Sequence, residues 1–229
     1  MLWELLKLHY YIVVETEFPL AGIGVVRGSK CGGRLLIENS RWPGADLWHA
    51  LFACIGATIV FVTIYIPALA AERTIRLSLP VGCKIGGICT IQNYVDRDPG
   101  PGARDYTCGR LVYNGHKGTD FRLPDASWLK HNVAVLAAAP GTVMGTRNDV
   151  VDHAPGQYDP GLNKGRECGN GVLIDHGGGW RTQYCHMRQG SVLVRKGDRV
   201  SRRAALGIIG LSGKTEFPHL HLSVRYKGE

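Results

Sequence analysis

Short runs in which apolar and polar residues alternate recur along the C-terminal two thirds of the chain. Side chains of a β-strand point alternately to its two faces, so this pattern predicts half-buried strands. Glycine-rich turns separate the runs, and the combination favours a compact, mostly antiparallel all-β domain with one short helix at 125–131. The predicted strands are 133–137, 141–147, 171–175, 180–186, 191–194, 205–210 and 219–226.

Two segments, 96–104 and 148–167, lack alternation and are rich in Pro, Gly, Asp and Tyr. Long irregular loops on a compact β core commonly form the walls of a functional site. We therefore expect these two loops to border a groove.

A strongly apolar segment at 47–70 interrupts the pattern, with no charged residue between Ala50 and Ala68. It ends in Ala-Leu-Ala before Glu72 and Arg73, which predicts a Sec-type signal peptide cleaved after Ala70. An uncleaved membrane anchor is the alternative, because the run approaches the roughly 20 residues that span a bilayer. Both alternatives place a domain of residues 71–229 on the oxidising side of a membrane. Residues 1–46 form a poorly defined N-terminal extension without assigned function.

The formal net charge of +8 belongs to the exported part, since residues 1–70 hold five basic and five acidic residues. A basic exported domain suggests an anionic polymer as partner, such as cell wall, lipid headgroups or nucleic acid. The basic residues are scattered, and a mild cluster at 195–203 is typical of a solvated loop and strand edge. We therefore expect no nucleic-acid partner.

Five of the seven cysteines follow residue 70, and cysteines of exported chains usually pair. Cys168 and Cys185 flank or lie in neighbouring predicted strands and are positioned to bridge them. Among Cys83, Cys89 and Cys108 we expect one disulfide pair and one remaining thiol. The sequence does not decide which two of the three pair. A tetrathiolate zinc site is the alternative, but no Cys-x-x-Cys spacing supports it.

Several histidines and one aspartate are the candidate residues of a metal-dependent active site. His219 and His221 lie one residue apart on a predicted strand and therefore project from the same face. His116 and Asp120 lie four residues apart around Gly118, which lets the backbone turn so that both side chains converge. Open zinc sites in hydrolases take three His or carboxylate ligands and leave a position for water.

These spacings predict a metal site of His116, Asp120 and His221. His219 and His186 would flank the metal-bound water, as general base and as stabiliser of the oxyanion or proton donor to the leaving amine.

Three segments in this order, HKGTD, GNGVLIDHGGGWRTQYCHM and GLSGKTEFPHLHLSV, resemble the lysostaphin-type (LytM-like) zinc endopeptidases that cut peptidoglycan cross-bridges. The resemblance covers about residues 80–225. It implies one zinc ion per chain held by His116, Asp120 and His221, with His186 and His219 catalytic. It also implies a small antiparallel β domain with a narrow groove between loops.

The cysteine-rich segment before HKGTD departs from the family's core pattern, and we expect it to form a disulfide-tied wall of the groove. Asp96, Asp98 and Asp105 in this region are either contacts for a cationic peptide stem or solvated loop acids. In the other long loop, Asp152 or His153 is a candidate to cap the open position of the metal.

The leading hypothesis is an exported zinc endopeptidase that hydrolyses amide bonds in peptidoglycan stems or cross-bridges by a metal-activated water. It would act in the periplasm or outside the cell, with membrane contact only through 47–70 if that segment anchors it in the inner membrane. The alternatives are a wall-binding regulatory module that recruits or activates another hydrolase, and a disulfide-stabilised structural domain that binds adventitious metal.

Overall fold

In the computed structural model of the chain, the described residues are 13–14, 74–159, 161 and 164–228. The predicted signal or anchor segment at 47–70, and all but two residues of the 1–46 extension, lie outside them. The assignment of 71–229 as one domain therefore stays a prediction. Within the described part of the chain, no helix is both long and apolar enough to cross a bilayer.

A seven-stranded antiparallel sheet dominates the fold, in the order β3-β4-β11-β8-β7-β6-β9. A second antiparallel pair, β10 with β5, packs beside it, and two short strands, β1 and β2, pair in parallel. The predicted all-β, mainly antiparallel architecture is confirmed. The strands are β1 (Val13–Val14), β2 (Arg76–Leu77), β3 (Thr90–Asn93), β4 (Thr119–Arg122), β5 (Ala134–Leu136), β6 (Gly141–Arg147), β7 (Asn170–Gly177), β8 (Trp180–Met187), β9 (Arg199–Val200), β10 (Ala205–Ile208) and β11 (His219–Tyr226).

The two faces of the large sheet have different surroundings. Apolar side chains at alternate positions, such as Ile174, Tyr184 and Leu220, are fully buried in the core. The Tyr184 hydroxyl accepts a hydrogen bond from the Ala138 N–H at 2.8 Å, which satisfies a polar atom in that core. On the opposite face, the register places His221 directly between Asp120 and Cys185 of the two neighbouring strands.

Most predicted elements are present. β6 and β11 have the predicted limits, and β7 and β8 extend slightly beyond theirs. The short helix is a 3₁₀ helix at Ala126–His131, which Asp125 caps by accepting the Ser127 N–H at 2.7 Å.

The strand predicted at 191–194 is wrong. Leu193 donates one backbone hydrogen bond to Leu206 at 2.9 Å, but Asp198 binds the Arg195 N–H at 2.8 Å and bends the chain into a turn. Sequence patterning also missed β3 and β4, which bring Asn93 and Asp120 to the sheet.

Disulfides tie both regions in which we expected them. Cys168 is bonded to Cys185, and Cys83 is bonded to Cys89. Cys108 is also disulfide-bonded, so the expectation of a remaining thiol among the three N-terminal cysteines was wrong.

Two aspartates organise the loop between β3 and β4. Asp96 accepts hydrogen bonds from the N–H groups of Asp98, Arg104 and Gly115 at 2.8–3.1 Å. Asp105 is only 3% exposed, and its carboxylate accepts four hydrogen bonds, one of them from the Thr107 hydroxyl at 2.6 Å. Asp105 is thus not a solvated loop acid. Both carboxylates serve the loop's own backbone, which argues against the suggested contact with a cationic stem.

Candidate active site

The three predicted metal ligands converge on the sheet face opposite the core. Asp120 on β4 lies directly opposite His221 on β11, and His116 lies in the turn that leads into β4. The Nε2 atom of His116 lies 3.1 Å from Asp120 Oδ2, and His221 Nδ1 lies 2.8 Å from Asp120 Oδ1. The two ring nitrogens are 3.1 Å apart.

One donor atom from each of these residues lies within 4.8 Å of the other two. Two imidazole nitrogens and one carboxylate oxygen are the donor set of an open, hydrolytic zinc site. The three residues therefore fit a zinc ion by their chemistry and by their convergence.

Hydrogen bonds behind the ligands fix which atom each presents. The Nδ1 atom of His116 donates to the Tyr94 carbonyl oxygen at 2.7 Å, which turns Nε2 towards the cluster. The Nε2 atom of His221 contacts the Ser223 hydroxyl at 3.0 Å, and Asn93 donates to Asp120 Oδ2 at 3.2 Å. Such outer partners orient metal ligands and set the histidine tautomers.

Gly118 gives the ligand cluster the space that it needs. A Cβ atom at this position would lie 2.5 Å from the His221 ring and 2.7 Å from the Leu222 carbonyl oxygen. The absence of a side chain lets the imidazole pack against the backbone, a close-approach role in addition to the turn expected from sequence.

His186 and His219 stand beside this cluster. Their ring centroids are 4.7 Å apart, and the centroid of His186 lies 6.0 Å from that of His221. The Nδ1 atom of His186 donates to the Ser212 carbonyl oxygen at 2.9 Å, and Nδ1 of His219 donates to the Phe217 carbonyl oxygen at 2.9 Å. In each neutral ring, Nε2 is therefore the atom without a proton.

The charges of the cluster are set by its own contacts. Burial works to raise the pKa of Asp120, but hydrogen bonds from His116 and His221 hold it well below the ordinary value. Burial likewise works to lower the pKa of His116, yet the hydrogen bond and charge of Asp120 raise it above the ordinary value. Asp120 is therefore an anion, and it supplies the negative charge that a cation at this site requires.

The two flanking histidines behave differently. Burial lowers the pKa of His186 well below its ordinary value, and the neighbouring histidines add to this effect. Burial also lowers the pKa of His219, while the charge of Asp120 works in the opposite direction. Both imidazoles are thus neutral near pH 7 and able to accept a proton.

The family assignment follows from comparison with known proteins. The model of Peptidase family M23 matches residues 114–229, which include all five site residues. The chain belongs to peptidase family M23.

Relatives of this M23 chain include two proteins of Vibrio cholerae. It is 32% identical over 113 residues to peptidoglycan DD-endopeptidase ShyA, covering 49% of this chain and 21% of ShyA. It is 29% identical over 116 residues to peptidoglycan DD-endopeptidase ShyB, covering 51% of this chain and 21% of ShyB. The chain thus matches about a fifth of the length of these relatives.

Among solved structures, the catalytic domain of the antimicrobial peptidase lysostaphin from Staphylococcus simulans matches with 23% identity. The match covers 51% of this chain and 72% of that one, with a TM-score of 0.36.

Sequence reasoning missed the residues that hold His186 in the M23 site. His186 has a left-handed backbone (φ 63°), and its N–H donates to the Cys168 carbonyl oxygen at 2.8 Å. The fully buried Ser212 receives a hydrogen bond from the Asn170 N–H at 2.9 Å and donates to the Met187 carbonyl oxygen at 2.6 Å. The Asn-Gly pair that opens β7 was the available signal, but its partner Ser212 lies 42 residues away in sequence.

Asp152 and His153 have other tasks than the suggested cap over the metal. Asp152 accepts the Leu211 N–H at 2.6 Å and the Gln189 N–H at 2.8 Å. His153 Nε2 contacts the Gly213 carbonyl oxygen at 3.1 Å. Both side chains hold the segment that contains Ser212, so they support His186 indirectly.

Proposed function

We propose that the chain is an exported zinc endopeptidase that hydrolyses amide bonds in the peptide cross-links of peptidoglycan. Membership of peptidase family M23 and the names of the relatives ShyA and ShyB support this. The observation that carries the proposal is the joining of a His-Asp-His cluster to two neutral histidines on one sheet face.

His116, Asp120 and His221 would hold the zinc ion, one per chain. When bound, zinc lowers the pKa of a coordinated water to about 7 and polarises the scissile carbonyl. The chain's own contribution is to orient the three donors, through Tyr94 and Ser223 among others, and to supply the anionic Asp120.

His219 is our candidate for the general base. Its Nε2 atom lies 3.5 Å from Asp120 Oδ1, so the imidazolium formed by proton uptake gains a neighbouring negative charge. The Phe217 carbonyl oxygen fixes the tautomer that leaves Nε2 free to accept that proton.

His186 is our candidate for the second catalytic group. The Ser212 carbonyl oxygen holds its Nδ1 proton, so Nε2 enters the reaction as a proton acceptor. Once Nε2 has taken up a proton that the attacking water gives up, it would donate a hydrogen bond to the oxyanion or pass that proton to the leaving amine. Its depressed pKa keeps it uncharged before the reaction.

An oxidising location outside the cytoplasm, in the periplasm or beyond, is part of the proposal. The disulfides Cys83–Cys89 and Cys168–Cys185 support it, because such bonds persist in exported proteins. The signal or anchor segment at 47–70 and the domain at 71–229 are the corresponding sequence predictions.

The decisive test is digestion of purified peptidoglycan by the full-length protein, with and without a zinc chelator. Mass spectrometry of the soluble products would identify the bond that is cut. We expect chelator-sensitive cleavage of peptide cross-links. Intact cross-links after treatment with zinc-loaded protein would contradict the enzyme and favour the regulatory module that recruits another hydrolase.

A further inference from the structure

A cavity of about 230 Å³ opens on the same sheet face as the three predicted metal ligands His116, Asp120 and His221, which we call the metal cluster. It lies over β6, β7 and β8, and no residue of the catalytic proposal lines it. The residues on which its character depends are Gly145, Arg147, Cys168, Gly171, Leu173 and Gln183.

Strand register shows that this cavity begins immediately beside the metal cluster. Cys185, whose disulfide partner Cys168 lines the cavity, lies directly opposite the ligand His221. Gln183 lies opposite Ser223, the outer partner of His221. Directly paired residues of antiparallel strands are about 4.5–5.5 Å apart between Cα atoms. The cavity therefore starts on the strand next to His221, where a peptide bound at His116, Asp120 and His221 can extend into it.

One glycine leaves space in the cavity, and a second glycine in its lining is required by a close backbone approach. A Cβ atom at Gly145 would meet no heavy atom within 4 Å, so the space above this strand position is empty. At Gly171 a Cβ atom would lie 2.1 Å from the Tyr184 carbonyl oxygen, so no side chain is tolerated there. The space thus lies above Gly145 of β6, and Gly171 of β7 cannot be replaced without moving the backbone.

Arginines set the charge of the cavity. Arg147 lines it and uses one guanidinium nitrogen to bind the Gly169 carbonyl oxygen at 3.3 Å. Arg225 donates to the Gln183 side chain at 2.7 Å and so adds a second cation at its border.

Two carboxylates, Asp149 and Glu167, lie near enough to Arg147 to interact with its charge, but their hydrogen bonds go to other groups. Asp149 forms an ion pair with Arg166 at 2.5 Å, and Glu167 accepts the Gly165 N–H at 2.8 Å. The guanidinium of Arg147 suits a planar carboxylate because its N–H groups match two oxygens at once.

We propose that this cavity is a substrate subsite that binds a carboxylate of the peptide on one side of the scissile bond. The inference rests on the proposed function and extends it, since it makes the substrate class an acidic peptide. Leu173 and the disulfide supply an apolar floor for the peptide's aliphatic part, and Arg147 binds its charge.

Binding is the first readout, because it is independent of turnover. We would titrate ¹⁵N-labelled full-length protein, zinc-loaded and metal-free, with acetylated tripeptides in two matched pairs. One pair ends in a carboxylate or a carboxamide, and the other carries glutamate or glutamine. The two pairs distinguish a terminal from a side-chain carboxylate as the ligand.

Three variants test the subsite directly. Gly145→Phe places a ring on the strand position where a Cβ atom meets only open space, Arg147→Gln removes the charge, and Leu193→Phe is a control at an exposed position outside the cavity. We expect at least tenfold tighter binding of one acid over its amide, with or without zinc. Arg147→Gln should reduce that preference to about twofold, Gly145→Phe should weaken both peptides at least tenfold, and Leu193→Phe should change neither.

Equal affinity of wild-type protein for acid and amide in both pairs would overturn the proposal, as would unchanged binding in Gly145→Phe. The same variants in peptidoglycan digestion separate the two claims. Cleavage by all variants at the wild-type rate would contradict the subsite and leave the proposed hydrolase activity supported. If wild-type protein binds the acids selectively but cuts no cross-link, the subsite is supported and the proposed hydrolase activity is contradicted.

Discussion

At the scale of single residues, the site depends on which nitrogen each histidine presents. Backbone carbonyl oxygens hold Nδ1 of His116, His186 and His219, and each of these rings directs Nε2 into the site. His221 is reversed, with Nε2 on Ser223 and Nδ1 towards Asp120. The proposed ligand and catalytic roles thus depend on hydrogen bonds that originate outside the site.

Gly118→Ala should prevent normal metal binding. The new methyl group would lie 2.5 Å from the His221 ring, so this ligand must move. We expect zinc affinity to fall at least tenfold, measured by competition with a chromogenic chelator, while the fold persists. Gly145→Ala, whose methyl group enters open space, is the matched control. Wild-type zinc affinity in Gly118→Ala would show that the close approach is unimportant.

Asp105 should make stability depend on pH. The Thr107 hydroxyl and three backbone N–H groups hold the pKa of its buried carboxyl below the ordinary value. Its contribution is therefore complete above the unfolded pKa, about 3.9, and is lost as the pH falls through the lower folded pKa.

We expect Asp105→Asn to lower the free energy of unfolding by about 1–3 kcal/mol at pH 7. Urea unfolding of both proteins should show this difference shrinking below pH 4. A difference that stays constant down to pH 2 would refute the role of the charge.

The convergence of the five predicted site residues could be expected from sequence, because each lies in a short motif with fixed spacing. The space requirement at Gly118 was not, because the His221 ring that imposes it lies about a hundred residues away. The tautomers were equally hidden, since carbonyl groups from Tyr94, Ser212 and Phe217 decide them irrespective of side-chain identity.

At the scale of secondary structure elements, β8 and the loop before β7 form one unit around His186. The Cys168–Cys185 disulfide closes this unit next to His186, and the Cys168 carbonyl oxygen binds the His186 N–H. Asn170 adds hydrogen bonds to both Val150 and Met187. The left-handed backbone of His186 is thus held from both sides.

Replacing this disulfide should cost both stability and catalysis. Its sequence separation of 17 corresponds to about 3 kcal/mol of chain entropy. We expect Cys168→Ser with Cys185→Ser to lose stability of that order in denaturant unfolding and to lower kcat with unchanged zinc content. The control pair, Cys83→Ser with Cys89→Ser, should destabilise by about 2 kcal/mol without changing kcat. Equal kcat losses in both double variants would contradict a specific role beside His186.

Alternation predicted the long strands well, because one face of each packs on the core. It failed for β4, where Asp120 and Phe121 are both buried, one in the site and one in the core. A buried carboxylate in a four-residue strand looks like a loop in sequence. Because the site needs Asp120 to be buried, β4 does not show the alternation by which the other strands were predicted.

At the scale of the whole molecule, one face of the large sheet packs on the core and the other face carries the candidate site. Its inner face is apolar and packs on the core, whereas its outer face carries the metal cluster, the two flanking histidines and the arginine-lined cavity. Alternation and motif spacing predicted the fold class and the cluster. The cavity escaped prediction because it arises in part from the side chain that is absent at Gly145.

The central claim is that three residues hold zinc and that two others act on the substrate. The most direct test measures zinc per chain and peptide release from peptidoglycan in parallel, for wild-type protein, His116→Ala and His219→Ala. We predict one zinc and cleavage for the wild type, neither for His116→Ala, and one zinc with cleavage reduced at least a hundredfold for His219→Ala. Full cleavage by His116→Ala, or loss of zinc from His219→Ala alone, would contradict this division of roles.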